Sequence, residues 1–231
     1  MAKRRAIIRK LPAVETLGSA TVICSDKTGT LTENQMTVQK IYAGNETYDV
    51  TGSGYDSKGQ IRLGGEDISL ASKAALKDCL LAGVLCNDSQ LIMEQQRVIV
   101  RGDPTEGALI ASAQKGGVDQ VEAGSRLTHL DSIPFESEHQ YMATLHRGVD
   151  GQSHVMYIKG AVEKILERCV NELSNKDELN GFNKENVHKA SEEMARNGLR
   201  VLAFAKRILP NSQDKISHHD AADRLTFLGL Q

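Results

Sequence analysis

In Cys24-Ser25-Asp26-Lys27-Thr28-Gly29-Thr30-Leu31-Thr32 a carboxylate and an ammonium are followed by threonines around one glycine. Asp26 is a competent nucleophile toward a phosphoryl group, and its attack gives an acyl phosphate. Lys27 adds positive charge, Gly29 allows close backbone approach, and the hydroxyls offer hydrogen bonds to phosphate oxygens. A solvated Asp-Lys turn after a strand explains the same residues without any chemistry, because short motifs recur by chance. A second set is scattered. Phe135 follows Pro134, Lys159 precedes Gly160, and Arg200 follows Gly198-Leu199. Singly these read as a core ring, a solvated lysine and a surface charge. Together they can stack a base, place a charge beside it and meet phosphate.

These residues need elements to hold them. Ala20 to Cys24 reads as a short buried strand that runs into the loop of Asp26. Strands are expected over Thr37–Ala43 and Glu46–Val50 around a turn at Gly44-Asn45, then over Gly59–Leu63. Gly52 and Gly54 look like turn residues, since no helix start with Lys-Ser/Thr follows them. The spacing of Ile68, Ala71, Ala75, Cys79, Ala82 and Cys86 predicts one helix over 67–86, stopped by Asn87-Asp88-Ser89. A strand over Gln96–Arg101 leads to a helix through Ala113. Asp103 is its N-cap, Pro104 its first residue, and Glu106 the partner in a reciprocal cap. Tyr141–His146 and His154–Ile158 form a hairpin, and Val162–Val170 reads as a helix with Cys169 on its apolar side. A further helix starts at Phe182-Asn183, turns Val187, Ala190 and Met194 inward, and stops at Gly198. Strands over Leu199–Ala205 and Leu225–Leu230 flank a polar loop.

The chain has 231 residues and a formal net charge of -2, so it can bury a core and carries no nucleic-acid footprint. No apolar run is long enough to span a membrane, and the opening residues do not read as a signal peptide. Lys3-Arg4-Arg5 with Arg9 and Lys10 forms a local basic cluster. Cys24, Cys79, Cys86 and Cys169 fit neither a zinc site nor a disulfide framework and read as buried free thiols of a reducing compartment. His218-His219 is the only histidine pair. No cysteine or acid stands at ligand spacing from it, which argues against a metal site there.

The run around Asp26, with Leu11-Pro12-Ala13-Val14-Glu15-Thr16-Leu17-Gly18 before it and Glu33-Asn34-Gln35-Met36-Thr37-Val38 after it, resembles the phosphorylation motif of P-type ion-pumping ATPases. The resemblance extends over the chain. Val50-Thr51-Gly52-Ser53-Gly54-Tyr55 and Cys86-Asn87-Asp88-Ser89 look like the calcium-pump-like (type IIA) branch, as do Phe135, Lys159-Gly160-Ala161 and Gly198-Leu199-Arg200-Val201-Leu202-Ala203. It implies that Asp26 takes the γ-phosphate of ATP, with Lys27 and Thr28 as further catalytic residues. Asp26 and the Thr28 carbonyl would form part of a Mg2+ site. It implies a nucleotide pocket with Phe135 stacked on adenine, Lys159 and Gly160 lining it, and Arg200 near the phosphates. Glu106 would meet the adenine amino group, a reading that stands beside its reading as a cap. Where calcium pumps of the muscle-membrane type carry an arginine and a lysine, this chain has Ser137 and Gln140, which implies a weaker grip on phosphate.

The implied fold is α/β (α+β), an antiparallel twisted sheet flanked by helices and inserted into a Rossmann-like phosphorylation domain. The expected organisation is 1–36 as the first piece of that phosphorylation domain, 37–224 as the nucleotide-binding domain, and 225–231 as a returning strand of the phosphorylation domain. The family places its Asp-Pro-Pro-Arg hinge and its magnesium-binding Gly-Asp-Gly-x-Asn-Asp run after the nucleotide domain, and neither occurs here. The expectation is therefore a soluble, monomeric ATP-binding fragment of a cation pump. It would bind ATP with no turnover of its own. In the parent protein it would lie at the cytoplasmic face of a membrane, with the membrane helices, the actuator domain and the rest of the phosphorylation domain as partners and calcium as cargo. Two other classes share the motif: a soluble phosphatase or phosphotransferase, and a non-catalytic nucleotide-binding regulatory module.

Overall fold

The computed structural model describes residues 19–22, 24–26, 30, 32, 35–95, 97–148, 151 and 153–231. The chain divides into two compact units, 1–34 and 35–231. In the first unit the described residues are exposed and belong to no helix or strand. The buried strand expected over 20–24 is therefore corrected. Val22 is 75% exposed, and none of the described ladders includes this stretch. Apolar and β-branched residues favour a strand only where a neighbour takes up its backbone groups, and no described ladder offers one here.

The second unit is a mixed α/β structure built on one large, mainly antiparallel sheet. Its first edge is a meander of β1 (Lys40–Ala43), β2 (Glu46–Val50), β3 (Ile61–Leu63) and β4 (Glu66–Asp67). Gly44 and Asn45, both at positive φ, turn β1 into β2, as the sequence suggested. The helix expected over 67–86 is shorter. A 3-10 turn at Leu70–Ser72, capped by Ser69, precedes α1 (Ala74–Leu85). The Ala74 amide donates to the carbonyl of Asn175, a distant loop residue that sets where the helix begins. α1 is buried almost all round, because its small residues let it lie close against the sheet.

A two-stranded hairpin follows, β5 (Gln90–Glu94) and β6 (Arg97–Arg101), then α2 (Pro104–Lys115) and α3 (Gln120–Arg126). The far edge of the large sheet is a second meander of β7 (His129–Glu136), β8 (Tyr141–Arg147) and β9 (Ser153–Gly160). The helix expected over 162–170 is α4 (Val162–Leu166) alone. Cys169 opens a strand instead, β10 (Cys169–Leu173), which pairs with β11 (Leu179–Gly181). α5 (Lys184–Arg196) has Asn183 as its N-cap and Gly198 at φ 76 beyond its end. β12 (Ala203–Pro210) starts four residues later than the strand expected from Leu199. The Leu199 amide is still bonded to the last turn of α5, and the ladder begins only where Leu202 and Gln231 exchange backbone hydrogen bonds.

β13 (Leu225–Leu230) stands in the middle of this sheet. One edge pairs with β12. The other pairs in parallel with β10 at its start and antiparallel with β1 at its end. The assignment of 225–231 to a separate domain is therefore corrected. Leu225, Phe227, Leu228 and Leu230 are all buried, and an apolar strand covered on both faces belongs at a sheet centre. The order across the sheet is β4-β3-β2-β1-β13-β12-β9-β8-β7. Side chains alternate between its faces. Ile41, Tyr48, Phe204 and Leu228 join α1 and α2 in one core, and Tyr42, Met156, Ile158 and Phe227 join α4 and α5 in the other. No helix among the described residues is long and apolar enough to cross a membrane.

Candidate functional site

The segment after α1, the start of α2 and the ends of β7 and β9 meet around a cavity of about 390 Å³, within the usual range for small-molecule sites. Glu106, Phe135, Lys159, Gly160 and Arg200, all singled out from the sequence, line it together. Met142 and Leu202 supply apolar wall, while Asp88, Ser89, Asp103 and Thr105 supply polar groups. Phe135 is 58% exposed, so it lines the cavity without being part of the core.

Lys159 is only 6% exposed, although a lysine at a strand end usually reaches water. Its Nζ donates to Glu106 Oε1 at 2.6 Å. Glu106 Oε2 accepts from Ser89 Oγ at 2.7 Å and from the Asp88 amide at 3.2 Å. Half of the expected reciprocal cap is present. Asp103 Oδ1 accepts from the amides of Thr105 and Glu106, at 2.7 and 3.3 Å. Glu106 does not return the bond, because the Asp103 amide donates to Ser89 Oγ instead, at 2.9 Å. Glu106 therefore points its carboxylate along the cavity wall and leaves the capping to Asp103.

Ser89 ties these pieces together and was not singled out from the sequence. It is buried, accepts from Asp103, donates to Glu106, and its carbonyl takes a bond from Gln120 Nε2. Its local signals are the Asn87-Asp88-Ser89 helix stop and its place in the family-like Cys86-Asn87-Asp88-Ser89 run. Gly102, at φ 129, makes room for it, since a Cβ there would stand 2.2 Å from Ser89 Oγ. Gly160 has a similar packing reason. A Cβ on it would meet the Gln140 carbonyl at 2.4 Å.

Burial raises the Asp103 pKa, but bonds from the Thr105 side chain and from the Thr105 and Glu106 amides outweigh it. With the charge of Arg200 they hold this carboxyl below its ordinary value. Arg200 is exposed at the rim, in the turn between α5 and β12. Cys86, behind the cavity, is a buried thiol pushed up to about 11 chiefly by desolvation, so it is no nucleophile.

Asp26 belongs to the first unit, where it is exposed and its carbonyl accepts from Ser25 Oγ at 3.1 Å. Lys27 and Thr28 lie outside the described residues, so the catalytic and magnesium roles expected of them rest on the sequence alone.

A family model described as "P-type ATPase, cytoplasmic domain N" matches residues 75–231. The cation-transporting ATPase pma1 of Synechocystis is 52% identical over the whole chain, which covers 26% of that protein. The calcium-transporting ATPase of Bacillus subtilis is 38% identical, again over the whole chain and 26% of its own length. The human calcium-transporting ATPase type 2C member 1 is 36% identical over the whole chain and 24% of its length. The chain thus spans about a quarter of each of these relatives.

Proposed function

We propose, from the premise that this chain belongs to the P-type ATPase family through its cytoplasmic domain N, that residues 35–231 bind ATP in the cavity beside Phe135. We propose further that the longer protein passes the γ-phosphoryl group to Asp26. The observation that carries the binding reading is the convergence of Glu106, Phe135, Lys159, Gly160 and Arg200 on one cavity from four separate stretches of chain. An exposed aromatic face suits adenine. Glu106 accepts from three donors, and a carboxylate offers about four lone-pair sites, so one is left for an exocyclic amine. Lys159 neutralises that carboxylate, and Arg200 stands at the rim for the phosphates.

Phe135→Ala is expected to weaken ATP binding by roughly 1–3 kcal/mol, the range for base stacking on an aromatic ring. The chain has no Trp, so calorimetry or chemical-shift perturbation is the readout. Unchanged affinity in this variant would remove Phe135 from the site.

In the longer protein a carboxylate oxygen of Asp26 bonds to the γ-phosphorus as the bridging bond to ADP breaks, leaving an aspartyl phosphate and ADP. Magnesium, when bound, neutralises the charge that gathers on the phosphoryl oxygens. Asp26 offers one carboxylate to it, and the family's Gly-Asp-Gly-x-Asn-Asp run does not occur in these 231 residues. This chain by itself is therefore expected to bind ATP without turning it over. Labelled ATP with magnesium, followed by acid quench, should leave no hydroxylamine-sensitive label. A label that disappears in Asp26→Asn would show the opposite.

The cargo we propose is calcium, from the branch-like motifs and from the calcium-transporting relatives. The parent would work at a membrane with this domain on the cytoplasmic side. Vesicles holding the intact protein should take up calcium when ATP is supplied, and uptake of another cation alone would reassign the cargo.

A further inference from the structure

A second cluster lies next to the nucleotide cavity and takes no part in it. Glu136, His139 and His218 each offer a ligand atom, and these atoms lie within 4.8 Å of one another. Glu136 ends β7 and His139 sits on the turn into β8, where the amides of His139 and Gln140 both donate to the Glu136 carbonyl, at 3.1 and 2.8 Å. His218 comes from the segment between β12 and β13. That segment is held in place by its own bonds. Ser217 donates from both its amide and its hydroxyl to Asp220 Oδ2, and the Ile216 amide donates to Asp131 of β7 at 2.8 Å.

We propose that Glu136, His139 and His218 form a site for a first-row transition-metal ion of the zinc class. Two imidazoles and one carboxylate select zinc, cobalt or nickel over magnesium and calcium, which prefer all-oxygen shells. Bonds of about 2.0–2.1 Å around a tetrahedral ion put neighbouring ligand atoms roughly 3.3 Å apart. His139 Nε2 and Glu136 Oε2 are already 3.5 Å apart. The two imidazole rings have centroids 4.1 Å apart. Glu136 and His218 are exposed and His139 is half-buried. The phenol of Tyr141 lies 2.7 Å from His218 Nδ1. In the tautomer where Nδ1–H donates to that oxygen, Nε2 keeps its lone pair for the metal, as in the oriented histidines of known sites. Arg168 lies over the Tyr141 ring at 4.7 Å from its centroid, and its Nη1 is bonded to the Lys164 carbonyl. Three protein ligands leave at least one position open to water. A bound ion would join the β7–β8 turn to the 211–224 segment, and Glu136 follows Phe135 directly on β7.

The test is calorimetric titration of the untagged 231-residue chain with Zn2+ alone. Expected are one saturable site, visible d–d bands when Co2+ replaces Zn2+, and no competition from excess Mg2+. His139→Ala and His218→Ala should each weaken binding at least tenfold, while their zinc-free thermal melts stay with the parent. Zinc should raise the melting temperature of the parent but not of either variant, as binding to the folded state alone requires. Absence of a saturable site, or unchanged affinity in either histidine variant, would overturn the assignment. Neither outcome touches the ATP reading, which Phe135→Ala tests separately.

Discussion

Lys159→Met is expected to destabilise the domain by about 3–5 kcal/mol. The two charged groups are largely out of water, with side-chain exposures of 8% for Lys159 and 13% for Glu106. Removing one partner of such a pair leaves the other as an uncompensated buried charge, and that desolvation cost dominates the loss. Ser89 Oγ and the Asp88 amide still donate to Glu106, but neither carries a full charge. Most of the loss should return when Glu106→Gln is added, because the amide needs no counter-ion. Chemical denaturation of the parent, both single variants and the double variant measures this directly. A loss below about 1 kcal/mol in Lys159→Met would mean that water reaches Glu106 and that the pair is a surface ion pair.

Acid should weaken the fold well before carboxylates dominate. His146 is 2% exposed, its Nδ1 lies 3.0 Å from the Leu127 carbonyl, and its Nε2 lies 2.9 Å from Thr144 Oγ1. The neutral ring fits this setting with Nδ1–H donating to the Leu127 carbonyl, while the one Thr144 hydroxyl proton lies between Nε2 and the Leu85 carbonyl, 3.3 Å away. Burial, with a smaller push from His129, lowers its pKa from 6.5 to about 4. The unfolded chain therefore binds a proton at this histidine below pH 6.5, and the folded chain does so only near pH 4. The stability this histidine contributes is fully present above pH 6.5 and is lost as pH falls toward 4. A shift of that size corresponds to about 3 kcal/mol. Asp103 and Asp220 are held below their ordinary value of 3.8, so their share is lost at lower pH still. Urea midpoints at pH 7.5 and 4.5 should differ strongly in the parent and much less in His146→Gln. Equal pH dependence in both would place the acid sensitivity elsewhere.

What the sequence revealed of this molecule depended on how far away each residue's partner lies. The β1–β2 and β8–β9 hairpins, the Asp103 cap and the course of α5 were readable, because turn residues, caps and spacing act over a few positions. Val162–Val170 misled because Val162, Ile165, Leu166 and Cys169 have helical spacing, while Cys169–Leu173 is claimed by a parallel ladder with a strand far along the chain. β5 and α3 were missed. β5 is a half-exposed hairpin strand, and α3 buries little beyond Ala123. The cavity residues were found by resemblance to a known family, since nothing local to Phe135 or Lys159 marks them. Ser89 and the partners of the Glu106 carboxylate needed the fold, because those partners stand on other elements. The same holds for His218, whose neighbours in space are not its neighbours in sequence.

The central place of β13 governs the order in which this domain can be made. During synthesis the β1–β4 meander and the β7–β9 meander can each form from nearby residues soon after they leave the ribosome. They remain two separate half-sheets, with unpaired edges at β1 and β12, until residues 225–230 emerge and slot between them. α1 packs on β1, β9, β12 and β13, so it has no complete surface to settle on before that moment. Closure therefore joins the earliest and the latest parts of the domain in one late, long-range step, which makes folding slow and leaves sheet edges open to wrong pairing in the interval.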